Sequence, residues 1–174
     1  TNISGGKLTM GNTSQKLSAV TMTGGTLDLS GGLSTDVAYA TTWNGTGGTV
    51  ILDTILDEQN GNISDKIHIT GAVTGTTKLQ INVTGGKGAL TTGDGIQLVV
   101  GDQGNAASHF ELASVVSNNG YDYSLSKWAT TGTCSRRRQR EFFAMRVRTS
   151  GRRGDAGTPP FGRSQRCCKE TRYE

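Results

Sequence analysis

The first 126 residues of this 174-residue chain contain no cysteine, no proline and no arginine. Without cysteine, this segment forms no disulfide, so packing and backbone pairing must stabilise it. No apolar run in the sequence approaches the roughly 20 residues of a transmembrane helix, which excludes a helical membrane span. The chain has only two histidines, His68 and His109, and neither has a partner at metal-site spacing, so the sequence indicates no metal site.

Charge divides the chain into two unlike segments near residue 126. Residues 1–126 carry five Lys and ten acidic residues, a net charge of −5. Residues 127–174 carry eleven Arg, two Lys and four acidic residues, a net charge of +9, together with all three cysteines and both prolines. One domain rarely divides its residue types so completely, so the sequence predicts two separate units.

The first unit shows short apolar alternations between glycine-rich turns, which are typical of β-strands. It holds 21 of the 26 glycines, and none of its segments has helical periodicity. The sequence therefore predicts an all-β fold. We expect strands at residues 7–10, 26–29, 49–52, 66–69, 78–81, 96–100, 110–112 and 121–125.

Two of these strands belong to a repeat, because "SGGKLTM" and "TGGTLDL" align and place Leu8 and Leu27 nineteen residues apart. A period near twenty is typical of a parallel β-helix, in which each coil buries its inner face only against its neighbours. About six coils would then fill residues 1–126. A β-sandwich, with strands every 8–12 residues, remains the alternative at this point.

Residues 47–125 resemble the pertactin-like passenger domain of bacterial autotransporters, in the portion just before the membrane barrel. The serine of "SDKIHITG", Ser64, stands where that family usually has glycine. The matching segments, in the family's order, are "SDKIHITG" (64–71), "AVTG" (72–75), the strand 78–83, "GIQLV" (95–99), "FEL" (110–112) and "YDYSL" (121–125).

The resemblance implies a right-handed parallel β-helix with a C-terminal hairpin cap, whose last coils act as an autochaperone for the exported passenger. It divides the chain into β-helix coils (1–46), a pertactin-like C-terminal module (47–126) and a basic tail (127–174). The implied function is a structural, non-enzymatic stalk that supports the folding and surface display of an adhesin or virulence factor. The implied location is the bacterial cell surface or outer membrane.

The same resemblance implies partners outside this chain, namely an upstream passenger and an outer-membrane β-barrel translocator. Host surface receptors are a further candidate class, and no cofactor is expected. The start "TNISGGKLTM" has neither an initiator Met nor a signal peptide, so we expect the sequence to be a fragment.

We expect the apolar and aromatic residues of the last coils to form the core of the autochaperone and its folding nucleus. A capped solenoid end can supply both closure and a template for the next coil. The candidate core residues are Ile67, Ile69, Leu79, Ile81, Phe110, Tyr121 and Tyr123.

Carbohydrate-active enzymes also use β-helices, and they need carboxylates on one face beside a cation. The segment "DTILDEQNGNISD" supplies Asp53, Asp57, Glu58 and Asp65, but no arginine lies in the first 126 residues. We interpret these acids as a solvated loop between two strands. His68 lies between two isoleucines and is expected to point outward, so the sequence predicts no catalytic, cofactor-binding or metal-binding residue.

The basic tail has three interpretations. Its arginine runs could bind nucleic acid, it could be a disordered cationic segment, or it could result from a change of reading frame. We favour the third, since arginine, proline and cysteine begin abruptly after Leu125, and we do not expect nucleic-acid binding. Adjacent Cys167 and Cys168 lack the second pair that a zinc site needs.

Overall fold

The computed structural model describes residues 1–57, 62–91, 95–103, 106–130 and 140–148. Within these ranges, strands and one short 3-10 turn make up all the regular structure. The strands are β1 (Asn2–Ser4), β2 (Lys7–Thr9), β3 (Gln15–Thr23), β4 (Thr26–Asp28), β5 (Val37–Ile55), β6 (Ile63–Ser64), β7 (Lys66–Ile69), β8 (Val73–Gly85), β9 (Ile96–Gly101), β10 (Phe110–Leu112), β11 (Val116–Asn118), β12 (Tyr121–Thr130) and β13 (Arg140–Arg148), and the 3-10 turn is Ala106–Ser108.

Successive coils stack in parallel, which is the defining feature of a β-helix. One series of parallel pairings runs β1-β3-β5-β7-β9, and a second runs β2-β4-β5-β8-β10. The long strand β5 takes part in both series because it continues through a bend of the coil. The predicted all-β β-helix is therefore confirmed, and the β-sandwich alternative is excluded.

Columns of apolar side chains fill the inside of the coils. Each column contains one residue per coil at the same register, so every coil buries its inner face on the coils before and after it. The interior members are fully buried, with 0% of their surface exposed. One column is Leu8, Leu27, Val50, Leu79 and Leu112, and another is Ala38, Ile67 and Val99.

The coils lengthen along the chain, which corrects the predicted constant period. In the first column, successive residues are 19, 23, 29 and 33 positions apart. The column therefore has five levels where about six coils were expected. Longer connections lie between the later strands, at positions 56–62, 86–95 and 102–109.

The two ends of the stack differ. At the N-terminal end, β1 pairs only with β3 and β2 only with β4 in the described part of the chain, so one edge of each is unpaired. The first-coil residue Leu8 is 36% exposed, whereas Leu27 below it is fully buried. At the C-terminal end, the parallel order stops at β9, and the antiparallel strands β13, β12 and β11 follow.

This C-terminal pairing changes the interpretation of the basic tail. The basic tail was predicted to begin at residue 127 without regular structure tied to the fold, but β12 continues to Thr130 and β13 spans Arg140–Arg148. The sequence of β13, "REFFAMRVR", alternates apolar and basic residues towards its end, a strand pattern that its arginine content obscured. The rest of the tail, residues 131–139 and 149–174, lies outside the described residues.

Close backbone contact between coils explains the glycine at position 75. Gly75 pairs with Gly45 of the preceding coil, and its φ of +73° is in the left-handed region. A Cβ at Gly75 would collide with the carbonyl group of Gly45. Glycine is therefore required there by both conformation and space.

We expect Gly75→Ala to lower the free energy of unfolding by about 3 kcal/mol, because left-handed strain and a backbone clash act together. The matched control is Gly47→Ala, where φ is +80° but nothing lies within 4 Å of the added Cβ. That control should cost only about 1–2 kcal/mol. Urea unfolding measures both, and equal losses would show that the coils do not approach as closely as described.

Candidate functional site

The C-terminal cap, which consists of β11, β12 and β13, closes the solenoid with antiparallel pairing. Strand β13 lies between the last parallel strand β9 and strand β12. Met145 of β13 is paired with Ile96 on one side and Leu125 on the other, and it is fully buried. The cap thus covers the edge of β9 that would otherwise accept another coil.

A tight hairpin joins β11 to β12. The turn residues Asn119 and Gly120 both have positive φ, +48° and +83°. This is the geometry of a type I′ turn, for which Asn-Gly is the preferred sequence because its twist matches that of the paired strands. The turn brings Val116 opposite Tyr123, and both side chains are buried.

The hydroxyl group of Tyr123 links the cap to the preceding coil by hydrogen bonds. The hydroxyl accepts a hydrogen bond from the backbone N–H of Ala89 and donates one to the carbonyl of the same residue, each 2.9 Å long. Ala89 is fully buried, so no solvent replaces either bond. Burial raises the pKa of the Tyr123 hydroxyl, which therefore remains a donor at physiological pH.

The hairpin also contacts the connection that contains Ala89. The side-chain amide of Asn119 donates to the carbonyl of Lys87 at 2.9 Å, and that of Asn118 donates to the carbonyl of Gly86 at 3.4 Å. Gly88 has a φ of +76°, and a Cβ there would lie 2.5 Å from the carbonyl oxygen of Asn118. Only glycine fits this contact between the cap and the coil.

Trp43 organises the inside of the last coils, and the sequence did not single it out. Its indole N–H donates to the hydroxyl of Thr77 at 2.9 Å, and its ring lies 5.7 Å from that of Phe110. Trp43 is 1% exposed. The surrounding sequence "TTWNGTGG" lacks apolar alternation. A tryptophan among turn-forming residues was therefore the one sequence signal for a buried residue here.

The candidate core residues of the autochaperone all contribute to one apolar core. Ile67, Ile69 and Leu79 are fully buried, and Phe110 and Tyr123 are at most 5% exposed. Ile81 and Tyr121 are half-buried and pack against this core from its edge. The structure therefore brings β7, β8, β10 and β12 together around these side chains.

Two of the acids predicted to lie in a solvated loop are instead buried. Asp53 is 3% exposed and Asp65 is 1% exposed. Asp65 links two adjacent turns of the chain. Its two carboxylate oxygens accept hydrogen bonds from the backbone N–H groups of Asp36 at 2.9 Å and Asp53 at 2.8 Å. Asp57 is half-buried, and Glu58 lies outside the described residues.

The Asp65 carboxyl group has a pKa raised from 3.8 to about 6. Burial is the main cause, and the nearby charges of Asp53 and Asp36 add to it, although the two backbone N–H donors oppose the shift. Asp53 in turn accepts from the side chain of Asn82 at 2.7 Å and from the N–H of Gly31 at 3.0 Å. These carboxylates therefore accept hydrogen bonds from groups of the chain itself.

The histidines lie in separate contacts outside the core. His68 Nε2 is 3.2 Å from Asp102 Oδ1, and its ring lies 5.6 Å from that of Tyr39. His109 is hydrogen-bonded to the carbonyl of Gly75. Among the described residues, no group of three or more metal-binding side chains is assembled, and no helix is long and apolar enough to cross a membrane.

Comparison with known families agrees with this geometry. A sequence model of the family described as Autochaperone Domain Type 1 matches residues 31–125, more than half of the chain. The chain belongs to this family. The recognition of an autotransporter autochaperone region from the segments at 64–125 is thereby confirmed. Autochaperone domains are structural and linked to autotransporter passengers, and the family is associated with the cell surface or outer membrane.

The family match begins at residue 31, within the segment that the sequence assigned to plain β-helix coils. The chain is also similar to the uncharacterized protein YuaQ of Escherichia coli K12, with 31% identity over 85 residues. The matched segment covers 49% of this chain and 6% of that protein.

We expect Tyr123→Phe to lower the free energy of unfolding by about 1–3 kcal/mol, because it leaves the buried N–H and carbonyl of Ala89 without partners. The matched control is Tyr121→Phe. In the part of the chain that the structure describes, the Tyr121 hydroxyl makes no such pair of bonds, so the control should change stability little. Thermal and urea unfolding compare the two, and similar losses would contradict the role of the Tyr123 hydroxyl.

We also expect stability to depend on pH through Asp65. Since its pKa is higher in the folded than in the unfolded chain, the folded chain binds the proton more readily between pH 3.8 and about 6. This contribution is complete below pH 3.8 and is lost as the pH rises through about 6, a change of roughly 3 kcal/mol. The urea midpoint should therefore be higher at pH 5 than at pH 7.5.

Asp65→Asn removes the titrating group, so the urea midpoint should no longer fall between pH 5 and pH 7.5. The variant also weakens one backbone hydrogen bond at every pH. The exposed Asp122→Asn should retain the wild-type pH dependence. A wild-type midpoint that rises between pH 5 and pH 7.5 would contradict the assignment.

Proposed function

We propose that this chain is the folding nucleus and end cap of an autotransporter passenger, from which upstream coils fold outward. One observation carries the proposal, namely that the two ends of the stack are unlike. At the C-terminal end, antiparallel strands cover β9, the last strand of one parallel series, whereas β1 and β2 each keep an unpaired edge in the described part of the chain. An unpaired edge with an incompletely buried inner residue, Leu8, is a template for a preceding coil.

The contacts at the closed end support the order of folding. The hairpin of β11 and β12 is local in sequence, so its closure costs little chain entropy. Tyr123, Asn118 and Asn119 then hold the connection at residues 86–89 by four hydrogen bonds. This closed end therefore supplies a stable surface on which the longer coils above it can stack.

The family match supports a proposal for the wider role. In the complete protein, we propose that the upstream passenger is exported through a linked outer-membrane translocator and displayed at the bacterial surface. The passenger would be an adhesin or virulence factor, with host surface receptors as its partners. The chain itself acts as a non-enzymatic support in this arrangement, since the buried carboxylates of Asp53 and Asp65 accept hydrogen bonds from its own backbone and from Asn82.

Folding kinetics test the nucleus. Ile69 and Leu27 are both fully buried aliphatic residues, but Ile69 lies in the last coils and Leu27 in the second coil. We expect most of the stability lost in Ile69→Ala to appear as slower refolding, because the contacts of Ile69 form early. The stability lost in Leu27→Ala should appear mainly as faster unfolding, because the contacts of Leu27 form late. Stopped-flow refolding and unfolding measure both rates.

Each of these variants should lose about 2–5 kcal/mol of stability, so the comparison depends on rates rather than on equilibrium alone. Pulsed hydrogen exchange on the wild-type chain gives an independent measurement. Backbone amides of β7, β8 and β12 should gain protection before those of β3 and β4. Earlier protection of β3 and β4, with slower refolding of Leu27→Ala, would place the nucleus at the wrong end and overturn the proposal.

A further inference from the structure

An Asn-Gly sequence forms the tip of the hairpin that joins β11 to β12. Asn119 and Gly120 are both exposed, and neither belongs to a strand. In the part of the chain that the structure describes, the backbone N–H of Gly120 makes no hydrogen bond, since pairing with β11 begins at Tyr121. No bond therefore has to be broken to free this nitrogen for reaction with the side chain of Asn119.

An asparagine that precedes a glycine loses its side-chain amide without an enzyme. The glycine nitrogen attacks Cγ of the asparagine, so a bond from nitrogen to Cγ forms and the bond from Cγ to Nδ2 breaks. The proton of the attacking nitrogen leaves with the amide group as ammonia, and a succinimide ring remains. Water then adds to one of the two ring carbonyl carbons and opens the ring to aspartate or isoaspartate. Glycine favours the attack because it has no Cβ and its backbone is conformationally permissive.

The hairpin tip has to open before this attack. In a type I′ turn the left-handed backbone of Asn119 directs the Gly120 nitrogen away from the asparagine side chain. Opening is local here, because β11 pairs only with β12 among the described strands, and at only three positions. Short edge segments of this kind open far more often than the whole chain unfolds.

The same dipeptide in β5 lacks this freedom. Asn44 is exposed, as Asn119 is, but Gly45 is buried. Gly45 pairs with Met22 of β3 on one side and with Gly75 of β8 on the other. Its nitrogen therefore becomes available only when neighbouring coils separate. The third Asn-Gly of the sequence, at residues 60–61, lies outside the described residues.

We propose that Asn119 is a site of spontaneous deamidation, and that the reaction weakens the attachment of the cap to the connection at residues 86–89. The Asn119 amide donates a hydrogen bond to the carbonyl of Lys87, and a carboxylate in its place has no proton to donate. Isoaspartate also adds an atom to the backbone of the turn, so the two-residue loop no longer fits the pairing of β11 with β12. The inference goes beyond the proposed folding role, since it requires only the folded hairpin and its contacts.

The test incubates the full folded chain at mildly alkaline pH. Peptide mapping with tandem mass spectrometry follows each Asn-Gly separately and distinguishes isoaspartate from aspartate. We expect Asn119 to convert at least about tenfold faster than Asn44, because the reaction rate follows the population of the open form. Conversion of Asn44 as fast as that of Asn119 would overturn the assignment.

Two variants distinguish local opening from unfolding of the whole chain. Val116→Ala weakens the buried contact between Val116 and Tyr123 across the hairpin, so Asn119 should convert about fivefold faster or more. Leu27→Ala removes a buried side chain from the second coil and should leave the Asn119 rate unchanged while the chain remains folded. Equal acceleration by the two variants would contradict local opening of the hairpin.

Hydrogen exchange measures the consequence for the cap. The form with isoaspartate at position 119 is separated by ion-exchange chromatography from the unreacted chain. Its β11 and β12 amides should exchange faster than those of the unreacted chain. Asn119→Asp removes the donor but keeps a sequence that the type I′ turn accepts, so it should lose less protection. Unchanged protection in the isoaspartate form would overturn the proposed effect on the cap.

Discussion

Stacking of one coil on the next is the constraint on which the rest of this structure depends. A single coil of three short strands exposes its inner face, so Leu27 or Val50 becomes buried only when residues of the neighbouring coils occupy the same column. Stability is therefore a sum of interfaces between coils, and each end of the stack lacks one interface. The antiparallel cap supplies that interface to β9 at the C-terminal end, whereas β1 and β2 keep an unpaired edge in the described part of the chain.

Polar groups make this arrangement specific. The inner columns all consist of apolar side chains. Burial of apolar surface alone would therefore tolerate a shift of the pairing register. Tyr123 binds both backbone groups of Ala89, and Asp65 binds the N–H groups of Asp36 and Asp53, and these bonds form in only one register. The pKa of the buried Asp65 carboxyl group is raised. The hydrogen bonds to its charged form therefore only partly offset the cost of desolvation.

The sequence predicted eight strands from their alternation and missed β1, β3, β6, β11, β13 and the first half of β5. Each of the eight expected strands overlaps an observed one, because Leu27, Ile67 and Leu79 lie on period-two patterns between glycines. The first half of β5 lacks that alternation, since it passes through the bend at Gly47 and is specified by pairing with β3 and β8. Such pairing is a property of neighbouring coils, which a local pattern does not contain.

The buried carboxylates show the same limit at the candidate site. Asp53 and Asp65 are separated by a polar connection, and their local sequence is that of a solvated loop. Asp65 becomes buried because the connection returns the chain beside β5, where β6 pairs with Thr54 and Ile55. The aspartate then lies next to backbone N–H groups that no strand satisfies. The position of the donors, set by stacking, determines the role of the acid, so residue type alone indicated the wrong environment.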